Sequence, residues 1–406
     1  IIIAYACDPS KGSEEGVGYN YVLAISKFSK CLVVTSSANK KKLDNLKLNN
    51  VEWFYVEEDI IKRYLINLWA KLGSSLLRFA IAYSYSRWQK KVIKELKNVL
   101  LKDKYDLIHK ITYVGYRFPI YIPDITIING PLGGIENMPN NYFQFMSIKG
   151  KILFNLRNIL NSFQRNFSYK LKNIYSKKNV HVISAHNNIN NLIKKYFKKD
   201  SFILSEICYT SKNNQLILKK EKKQVKVIWI GDIEPGKNLI SLLKVKKEMQ
   251  FKKILFDLVI CGNGSEFKSL KNFVRNNKIE NVEFKGKVSR DETISLLEES
   301  DIYISTSLKD LTSTSLVEAM SCNCAIITTP LQGFRDAIGN AKSLYISLKS
   351  KEEFNSSLFK ALFFLINNKM NRLEYAKSTL EESKKFNIDN VSKVLKNFYN
   401  QILNYQ

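Results

Sequence analysis

Two carboxylates that flank the predicted start of a helix are the side chains in this sequence best placed to do chemistry. Asp310 and Glu318 lie eight residues apart, across a polar loop that follows the apolar strand 302–304. We expect the helix to begin near Ser315, where unpaired backbone N–H groups and a partial positive charge would suit a bound phosphate. A carboxylate one turn into that helix can accept hydrogen bonds from a sugar hydroxyl beside the phosphate. The segment is therefore a candidate pocket for a nucleotide sugar.

The same segment has a simpler interpretation as a helix cap. Ser315 and Glu318 match the pattern S-x-x-E of a capping box, in which the acidic side chain folds back onto its own helix end. Capping boxes are far more common than nucleotide-sugar sites, so this segment alone favours capping. The neighbouring sequence has to distinguish the two interpretations.

The second half of the chain alternates between short apolar strands and helices. The predicted strands are 225–230, 256–260, 282–284, 302–304 and 325–328. Apolar strands separated by helical patterns of about ten to fifteen residues indicate a parallel sheet that is covered on both faces. Ligands of such sheets bind at the carboxyl ends of the strands. Gly231, Gly262 and Gly286 fall at those ends, as does the loop that contains Asp310.

Several short motifs occur in a fixed order along the chain, and their order is more specific than any one of them. In the second half they are I-G-D-I-E-P-G-K-N (230–238), C-G-N-G-S-E (261–266), V-E-F-K-G-K-V (282–288) and D-x7-E (310–318). The first half contains G-S-E-E-G-V-G-Y-N (12–20), and D-L-I-H-K-I-T-Y (106–113) with R-F-P (117–119) and N-G-P-L-G-G-I-E-N-M-P (129–139). Over roughly residues 1–345 the chain resembles the retaining glycosyltransferases of family 4, in particular a bacterial branch that builds surface polysaccharides.

That resemblance implies an α/β protein with the GT-B fold, in which two Rossmann-like parallel-sheet domains face each other across a cleft. A chain of 406 residues is long enough for two domains. We predict an acceptor-side domain over 1–210 and a nucleotide-sugar-binding domain over 225–375. A polar, Lys-rich linker at 211–224 would separate them. Helices over 376–406 would follow, the last of them crossing back to the first domain.

The resemblance also assigns roles in the second half. Lys237 is expected to contact the diphosphate, Asp310 the transferred sugar and its phosphate, and Glu318 the ribose hydroxyls. The leaving diphosphate would be neutralised by cations and helix N-termini, without a metal or a cofactor. The remaining predicted donor contacts are Gly262, Thr314, Ser315 and Leu316.

Two residues depart from the family pattern. Asp232 stands where the family usually has an arginine, and Asp310 stands where it usually has a glutamate, so its carboxylate reaches less far. Either another cation, such as Lys287 or Arg335, replaces the missing arginine, or the activity is low.

In the first half, Gly16, Val17 and Gly18 are predicted to lie in the turn after the first strand. Glycine at such a turn lets the backbone approach a phosphate or a sugar closely. The alternative is an ordinary tight turn capped by Ser13.

Two further residues of the first half are catalytic candidates. His109 could bond the sugar as a neutral imidazole, or it could merely anchor Thr112 or a backbone carbonyl. Glu136, in the G-P-L-G-G-I-E motif, is a candidate for a role on the acceptor side.

The net charge of +27 is concentrated in two segments. Residues 61–100 contain nine basic and one acidic residue, and 141–180 contain eight basic and none acidic, so together they supply +16. In the first segment an apolar stripe recurs at helical spacing: Ile61, Leu65, Leu68, Leu72, Leu76 and Phe79. The opposite face carries Arg63, Asn67, Lys71, Ser74 and Arg78. The aromatic residues among the basic ones are Trp69, Phe79, Trp88, Phe143 and Phe145.

Three interpretations of this basic pattern remain open. It could be an ordinary helix that packs its stripe on the sheet, a surface that contacts an anionic membrane, or a nucleic-acid site. No nucleic-acid-binding motif accompanies the charge, and we expect no nucleic-acid partner. No apolar run reaches the length of a membrane span, and no signal peptide is visible. The six cysteines lack metal-site spacing and are expected to be buried thiols.

The sequence therefore predicts a metal-independent, retaining hexosyltransferase that uses a UDP- or GDP-sugar. Its acceptor would be lipid-linked or an oligosaccharide, and it would be cytoplasmic and peripheral on the inner face of the cell membrane. Two alternatives remain: a nucleotide-sugar epimerase of the same fold, and a catalytically impaired, membrane-bound scaffold.

Overall fold

The computed structural model describes residues 1–58, 74–210 and 224–404, which divide into two compact units. Unit 1 comprises Ile1–Glu136, Ile159–Thr210 and Phe386–Gln406, and unit 2 comprises Asn137–Asn158 and Ser211–Lys385. The side chains of the predicted stripe at 61–79 lie outside the described residues, as does the predicted linker apart from Gln224.

Each unit is built on one parallel sheet. In unit 1 the strands are β1 (Ile2–Ala4), β2 (Cys31–Ser36), β3 (Val51–Val56), β4 (Leu107–Thr112), β5 (Thr126–Leu132), β6 (Val180–Ser184) and β7 (Phe202–Ile203). In unit 2 they are β8 (Lys226–Ile230), β9 (Asp257–Cys261), β10 (Val282–Gly286), β11 (Ile302–Ser305), β12 (Ala325–Thr328) and β13 (Leu344–Tyr345). The strand orders are β3-β2-β1-β4-β5-β6-β7 and β10-β9-β8-β11-β12-β13. Neighbouring strands are parallel in both sheets, as the alternating pattern predicted for the second half and as the resemblance implied for the first.

Helices connect these strands and cover the sheets. They are α1 (Ser13–Ser26), α2 (Lys40–Leu43), α3 (Ser74–Lys102), α4 (Ile148–Phe167), α5 (Tyr169–Tyr175), α6 (Asn187–Phe197), α7 (Leu239–Phe251), α8 (Phe267–Asn276), α9 (Arg290–Glu298), α10 (Thr314–Ser321), α11 (Gln332–Ile338), α12 (Lys351–Asn367), α13 (Lys369–Ser383) and α14 (Ile388–Asn404). β1, β2, β4 and β5 are buried along their whole length, as parallel strands between helical layers must be. No helix among the described residues is long and apolar enough to cross a membrane.

The units are not continuous in sequence, which differs from the predicted division at 1–210. Residues 137–158 belong to unit 2 because their apolar side chains are buried in its core. Met138, Phe145, Met146 and Phe154 are the buried members of this segment. At the other end of the chain, α14 belongs to unit 1.

The aromatic residues predicted to face a membrane include two that belong to the core. Trp88 is 1% exposed and donates a hydrogen bond from Nε1 to the carbonyl of Val56 over 3.0 Å. Phe145 is buried and lies against Phe354, with ring centroids 5.2 Å apart. For these two residues the membrane interpretation was wrong, because their apolar surface is already covered by protein. All six cysteines are free thiols and are buried, as expected.

Candidate functional site

The loops after β8 and β11 meet at the carboxyl edge of the sheet of unit 2. Thr306 donates a hydrogen bond from Oγ1 to the carbonyl of Lys237 over 2.6 Å, and the Leu308 N–H donates to the carbonyl of Gly236 over 2.8 Å. Lys237 ends the 3-10 turn Pro235–Lys237. These bonds fix the position of the Lys237 backbone relative to the polar loop, where the sequence analysis predicts a bound nucleotide sugar.

Lys237 and Asp310 form an ion pair across this edge. The Nζ atom of Lys237 donates to Oδ2 of Asp310, and the two side chains are 23% and 20% exposed. Asp310 also accepts hydrogen bonds from the Leu311 N–H at 3.1 Å and from Ser307 Oγ at 3.4 Å. The two residues predicted to contact a diphosphate and a sugar therefore neutralise each other here, and both side chains remain partly exposed.

The capping interpretation of Ser315 and Glu318 is wrong. Helix α10 begins at Thr314 after Ser313, whose φ is 71°, and no side chain caps it. The hydroxyl of Ser315 is instead bonded to the hydroxyl of Tyr303 at 2.8 Å. A capping box requires Ser at the N-cap, and Ser315 is already inside the helix.

Glu318 is a buried carboxylate in the first turns of α10. One oxygen, Oε1, lies 3.5 Å from Nε of Arg290, the first residue of α9. That oxygen has no hydrogen-bond partner among the described residues. Burial raises the pKa of Glu318 to about 7, and Arg290 offsets only part of this effect. A buried acceptor without a hydrogen-bond donor is costly, so this oxygen is suited to a hydroxyl group of a ligand.

Lys287 and Arg335 are the cations proposed to replace the missing arginine. The Arg335 guanidinium stacks over the Tyr345 ring, 5.4 Å from its centroid, and Lys287 is exposed. Arg290, which the sequence analysis missed, is the cation beside Glu318. Its only sequence signal is the preceding Ser289, which caps α9. Asp232, in the arginine position, is exposed.

Gly262 is required by the packing of two loops. Its φ is 143°, and a Cβ atom there would lie 1.8 Å from the carbonyl oxygen of Gly231. The Gly231 N–H donates to the Cys261 carbonyl at 3.0 Å, which holds the loops after β8 and β9 together. This packing accounts for the glycine, and a substrate contact by Gly262 stays a prediction.

The prediction that Gly16, Val17 and Gly18 lie in the turn after the first strand is wrong. In unit 1 these residues lie near the N-terminus of helix α1. The alternative, a turn capped by Ser13, is also wrong, since Ser13 is itself the first helical residue and makes no cap. A Cβ atom at Gly18 would lie 1.9 Å from the Ala6 carbonyl oxygen. Glycine therefore lets the helix approach the end of β1, and a ligand contact by these residues stays a prediction.

A half-buried carboxylate next to these glycines was missed. Glu14 accepts a hydrogen bond from the Val114 N–H, and burial raises its pKa to about 7. Lys110 lies nearby, fully buried, and donates to the Tyr113 carbonyl over 2.5 Å. The acidic pair at the start of the G-S-E-E-G motif was the available signal.

His109 occupies a structural position inside β4. It is completely buried, with Nε2 2.8 Å from the Gly130 carbonyl oxygen and Nδ1 2.6 Å from the hydroxyl of Tyr399. A carbonyl can only accept, so Nε2 carries the proton and Nδ1 accepts from Tyr399. Burial lowers the pKa of His109 to about 3. Both nitrogens are occupied, which favours the anchoring alternative over a bond to the sugar.

Glu136 belongs to a cluster at the start of α6. Its Oε2 lies 3.5 Å from Nε2 of His186, and Oε1 accepts a hydrogen bond from the Asn188 amide. His186 is the N-cap residue of α6 and is 1% exposed, and neither of its ring nitrogens has a hydrogen-bond partner among the described residues. The sequence analysis identified the carboxylate but missed the histidine, which lies in no motif used.

Comparison with known proteins agrees with this architecture. Residues 211–376 match the family of glycosyl transferases group 1. An uncharacterized glycosyltransferase of Methanocaldococcus jannaschii is 28% identical over 196 residues, which cover 46% of this chain and 48% of that protein. The O-antigen chain mannosyltransferase of Salmonella typhimurium is 25% identical over 179 residues, which cover 44% of this chain and 50% of that enzyme. The chain thus spans about half the length of these curated relatives.

Solved structures share the fold over the whole chain. Sucrose-phosphate synthase from Thermosynechococcus elongatus superposes with a TM-score of 0.68 at 12% identity, covering 100% of this chain and 99% of that chain. Anabaena HepE in complex with UDP-glucose superposes with a TM-score of 0.62 at 12% identity, covering 98% of this chain and 99% of that chain. The predicted GT-B fold is confirmed, and residues 211–376 match the model of the glycosyl transferases group 1 family.

Proposed function

We propose that this chain, which matches the glycosyl transferases group 1 family over residues 211–376, transfers a hexose from a UDP- or GDP-sugar to a lipid-linked or glycan acceptor. The transfer would retain the anomeric configuration, need no metal and serve the synthesis of a cell-surface polysaccharide. One observation carries the proposal: the buried Glu318 presents an oxygen without a hydrogen-bond donor beside the N-terminus of α10. A ribose hydroxyl would supply that donor.

The charges at the edge of the sheet suit the rest of such a donor. A diphosphate beside the N-terminus of α10 would meet the backbone N–H groups of Thr314, Ser315 and Leu316. Lys237 would turn from Asp310 to the diphosphate, because two phosphate groups carry more negative charge than one carboxylate. As the bond from the sugar to the diphosphate breaks, negative charge grows on the leaving oxygen, and the lysine stabilises it more strongly than in the ground state.

Asp310 would then be free to bind the sugar. Released from Lys237, its carboxylate can accept hydrogen bonds from sugar hydroxyls, while the Leu311 N–H still holds its other oxygen. In unit 1, Glu136 is the proposed acceptor-side carboxylate, held by Asn188 and His186. It would accept a hydrogen bond from the attacking hydroxyl. His109 is assigned a structural role instead.

The relatives support the class of substrate. One of them is named as an O-antigen chain mannosyltransferase, and HepE binds UDP-glucose. The proposal therefore includes a polysaccharide intermediate as the acceptor and a peripheral location on the inner face of the cell membrane.

A second candidate is a catalytically impaired scaffold of the same fold. Two observations favour it. Asp232 is an acid in the position where the resemblance expects an arginine, and Lys237 is neutralised by Asp310. Such a protein would bind a nucleotide without turning it over.

The purified chain, incubated with a panel of UDP- and GDP-hexoses, tests both candidates. Release of the nucleoside diphosphate is measured with and without an acceptor, and nucleotide binding is measured separately by calorimetry. Donor hydrolysis or transfer that is lost in Glu318→Gln but kept in Glu280→Gln, a change at an exposed glutamate, supports the transferase. Nucleotide binding without turnover supports the scaffold. Neither binding nor turnover with any donor contradicts both.

A further inference from the structure

Helix α4 presents apolar side chains to solvent along its entire length. Seven of them, 44% to 76% exposed, form what we call the apolar stripe: Ile148, Ile152, Leu156, Ile159, Leu160, Phe163 and Phe167. Their spacing of three and four residues places them on one face of the helix. Phe163 and Phe167 also touch each other, with ring centroids 5.3 Å apart. So large a continuous apolar surface usually marks an interaction site.

The opposite face of α4 is the one that is buried, and polar side chains anchor it. Asn158 donates to the Met138 carbonyl over 2.7 Å and accepts from the Met138 N–H at 2.9 Å. Asn161 donates to the Ile135 carbonyl over 2.8 Å. Buried side-chain amides with these partners would lose their hydrogen bonds if the helix rotated about its axis. The exposure of the apolar stripe is therefore fixed by the structure.

The charge around the apolar stripe has one sign. Residues 141–180 contain eight basic and no acidic residues. Exposed lysines lie along the helix and just after it: Lys149, Lys151, Lys170 and Lys172. A second copy of this chain would bring an equally basic surface against the first, so self-association through the apolar stripe is electrostatically unfavourable. An anionic surface with an apolar interior complements both the charge and the stripe.

We propose that the apolar stripe of α4 inserts into the interfacial region of a bilayer that contains anionic lipid, with the flanking lysines on the head groups. Helix α4 has 20 residues and would be about 30 Å long, and it would lie parallel to the membrane plane. This inference rests on the membrane location in the proposed function and names the surface that provides it. Its test uses no sugar substrate, so its outcome is independent of any transfer assay.

Sedimentation of the chain with vesicles tests the inference. Wild-type protein should bind vesicles of phosphatidylcholine with phosphatidylglycerol, bind pure phosphatidylcholine weakly, and dissociate as salt rises from about 0.1 to 1 M. The double variant Phe163→Ser/Phe167→Ser should bind anionic vesicles at least tenfold more weakly. The matched control Phe251→Ser/Met370→Ser changes side chains that are 89% and 76% exposed elsewhere, and it should bind like wild type.

The contribution of the lysines to vesicle binding and the insertion of the apolar stripe into the bilayer are measured separately. Lys149→Gln/Lys170→Gln should weaken anionic binding roughly tenfold or more at low salt, whereas Lys268→Gln/Lys271→Gln, at exposed lysines of α8, should not. Phe163→Trp should gain blue-shifted fluorescence on anionic vesicles, quenched by brominated lipid, after subtraction of the wild-type spectrum. The control Phe251→Trp should show neither the blue shift nor the quenching on these vesicles.

Three results would overturn the inference. The first is a stripe variant that binds vesicles like wild type. The second is equal binding to both lipid compositions, or binding to neither. The third is a wild-type dimer in sedimentation velocity that the Phe163→Ser/Phe167→Ser variant dissociates, which would assign the apolar stripe to a second copy of this chain.

Discussion

Arg290 and Glu318 lie on two different helices and meet with 3.5 Å between Nε and Oε1. Arg290 is the first residue of α9, and Glu318 lies in the first turns of α10. The guanidinium reduces the cost of burying the carboxylate without saturating its oxygen with hydrogen bonds. The pair therefore keeps a buried acceptor in place for a ligand, and its energetics can be measured through pH.

Glu318 should make the stability of the protein depend on pH. Its pKa is raised from 4.5 to about 7, chiefly by burial, so the folded chain keeps a proton that the unfolded chain has lost. This contribution to stability is fully present below about pH 4.5 and is lost as the pH rises through about 7. Relative to wild type, Glu318→Gln should therefore gain roughly 3 kcal/mol in free energy of unfolding between about pH 4 and pH 8. Urea denaturation at both pH values measures the difference, and a constant difference would contradict it.

Lys237→Ala should reduce donor hydrolysis or transfer at least tenfold while the melting temperature stays nearly unchanged. The Lys237–Asp310 pair is partly exposed, and such pairs contribute about 0–1 kcal/mol to stability. Lys226→Ala is the matched control, because Lys226 also pairs with a carboxylate, at 2.6 Å from Glu299, away from the loops of the site. Activity assays and thermal melts on both variants provide the measurement. Equal loss of activity in the two variants would contradict the prediction that Lys237 contacts the donor.

The sequence predicted the parallel sheet of the second half and the positions of β8 to β12, because short apolar runs bounded by glycine are a local signal. Arg290 was not predicted, since its partner Glu318 is distant in sequence and the pair exists only through the packing of two helices. Gly16 and Gly18 were placed in a turn because glycine usually indicates one, whereas here they allow a helix to pack closely. The periodicity of α4 shows an apolar face but not which face is buried, and hydrogen bonds from Asn158 and its neighbours decide that.

Asp232→Arg should tighten nucleotide binding, by roughly tenfold for one charge-assisted contact of about 1.5 kcal/mol. Asp232 is exposed at the carboxyl end of β8, so the change should not disturb the core. Calorimetry with UDP and GDP measures the affinity, and Asp232→Asn separates removal of the acid from addition of the cation. An affinity that is unchanged or weaker in Asp232→Arg would show that other residues already neutralise the diphosphate.

His109→Gln should destabilise unit 1 by about 2–4 kcal/mol, because one amide group cannot occupy the positions of both ring nitrogens and leaves a buried partner unsatisfied. Tyr399→Phe, which removes one of the two hydrogen bonds, should lower the free energy of unfolding by less.

The pKa of His109 is lowered from 6.5 to about 3, so its contribution to stability is present above about pH 6.5 and is lost as the pH falls towards 3. The difference between wild type and variant in urea denaturation should therefore shrink between about pH 7 and pH 4. Donor hydrolysis per folded molecule should be unchanged at neutral pH. A His109→Gln variant that is stable but inactive would contradict the structural role and indicate that His109 takes part in catalysis.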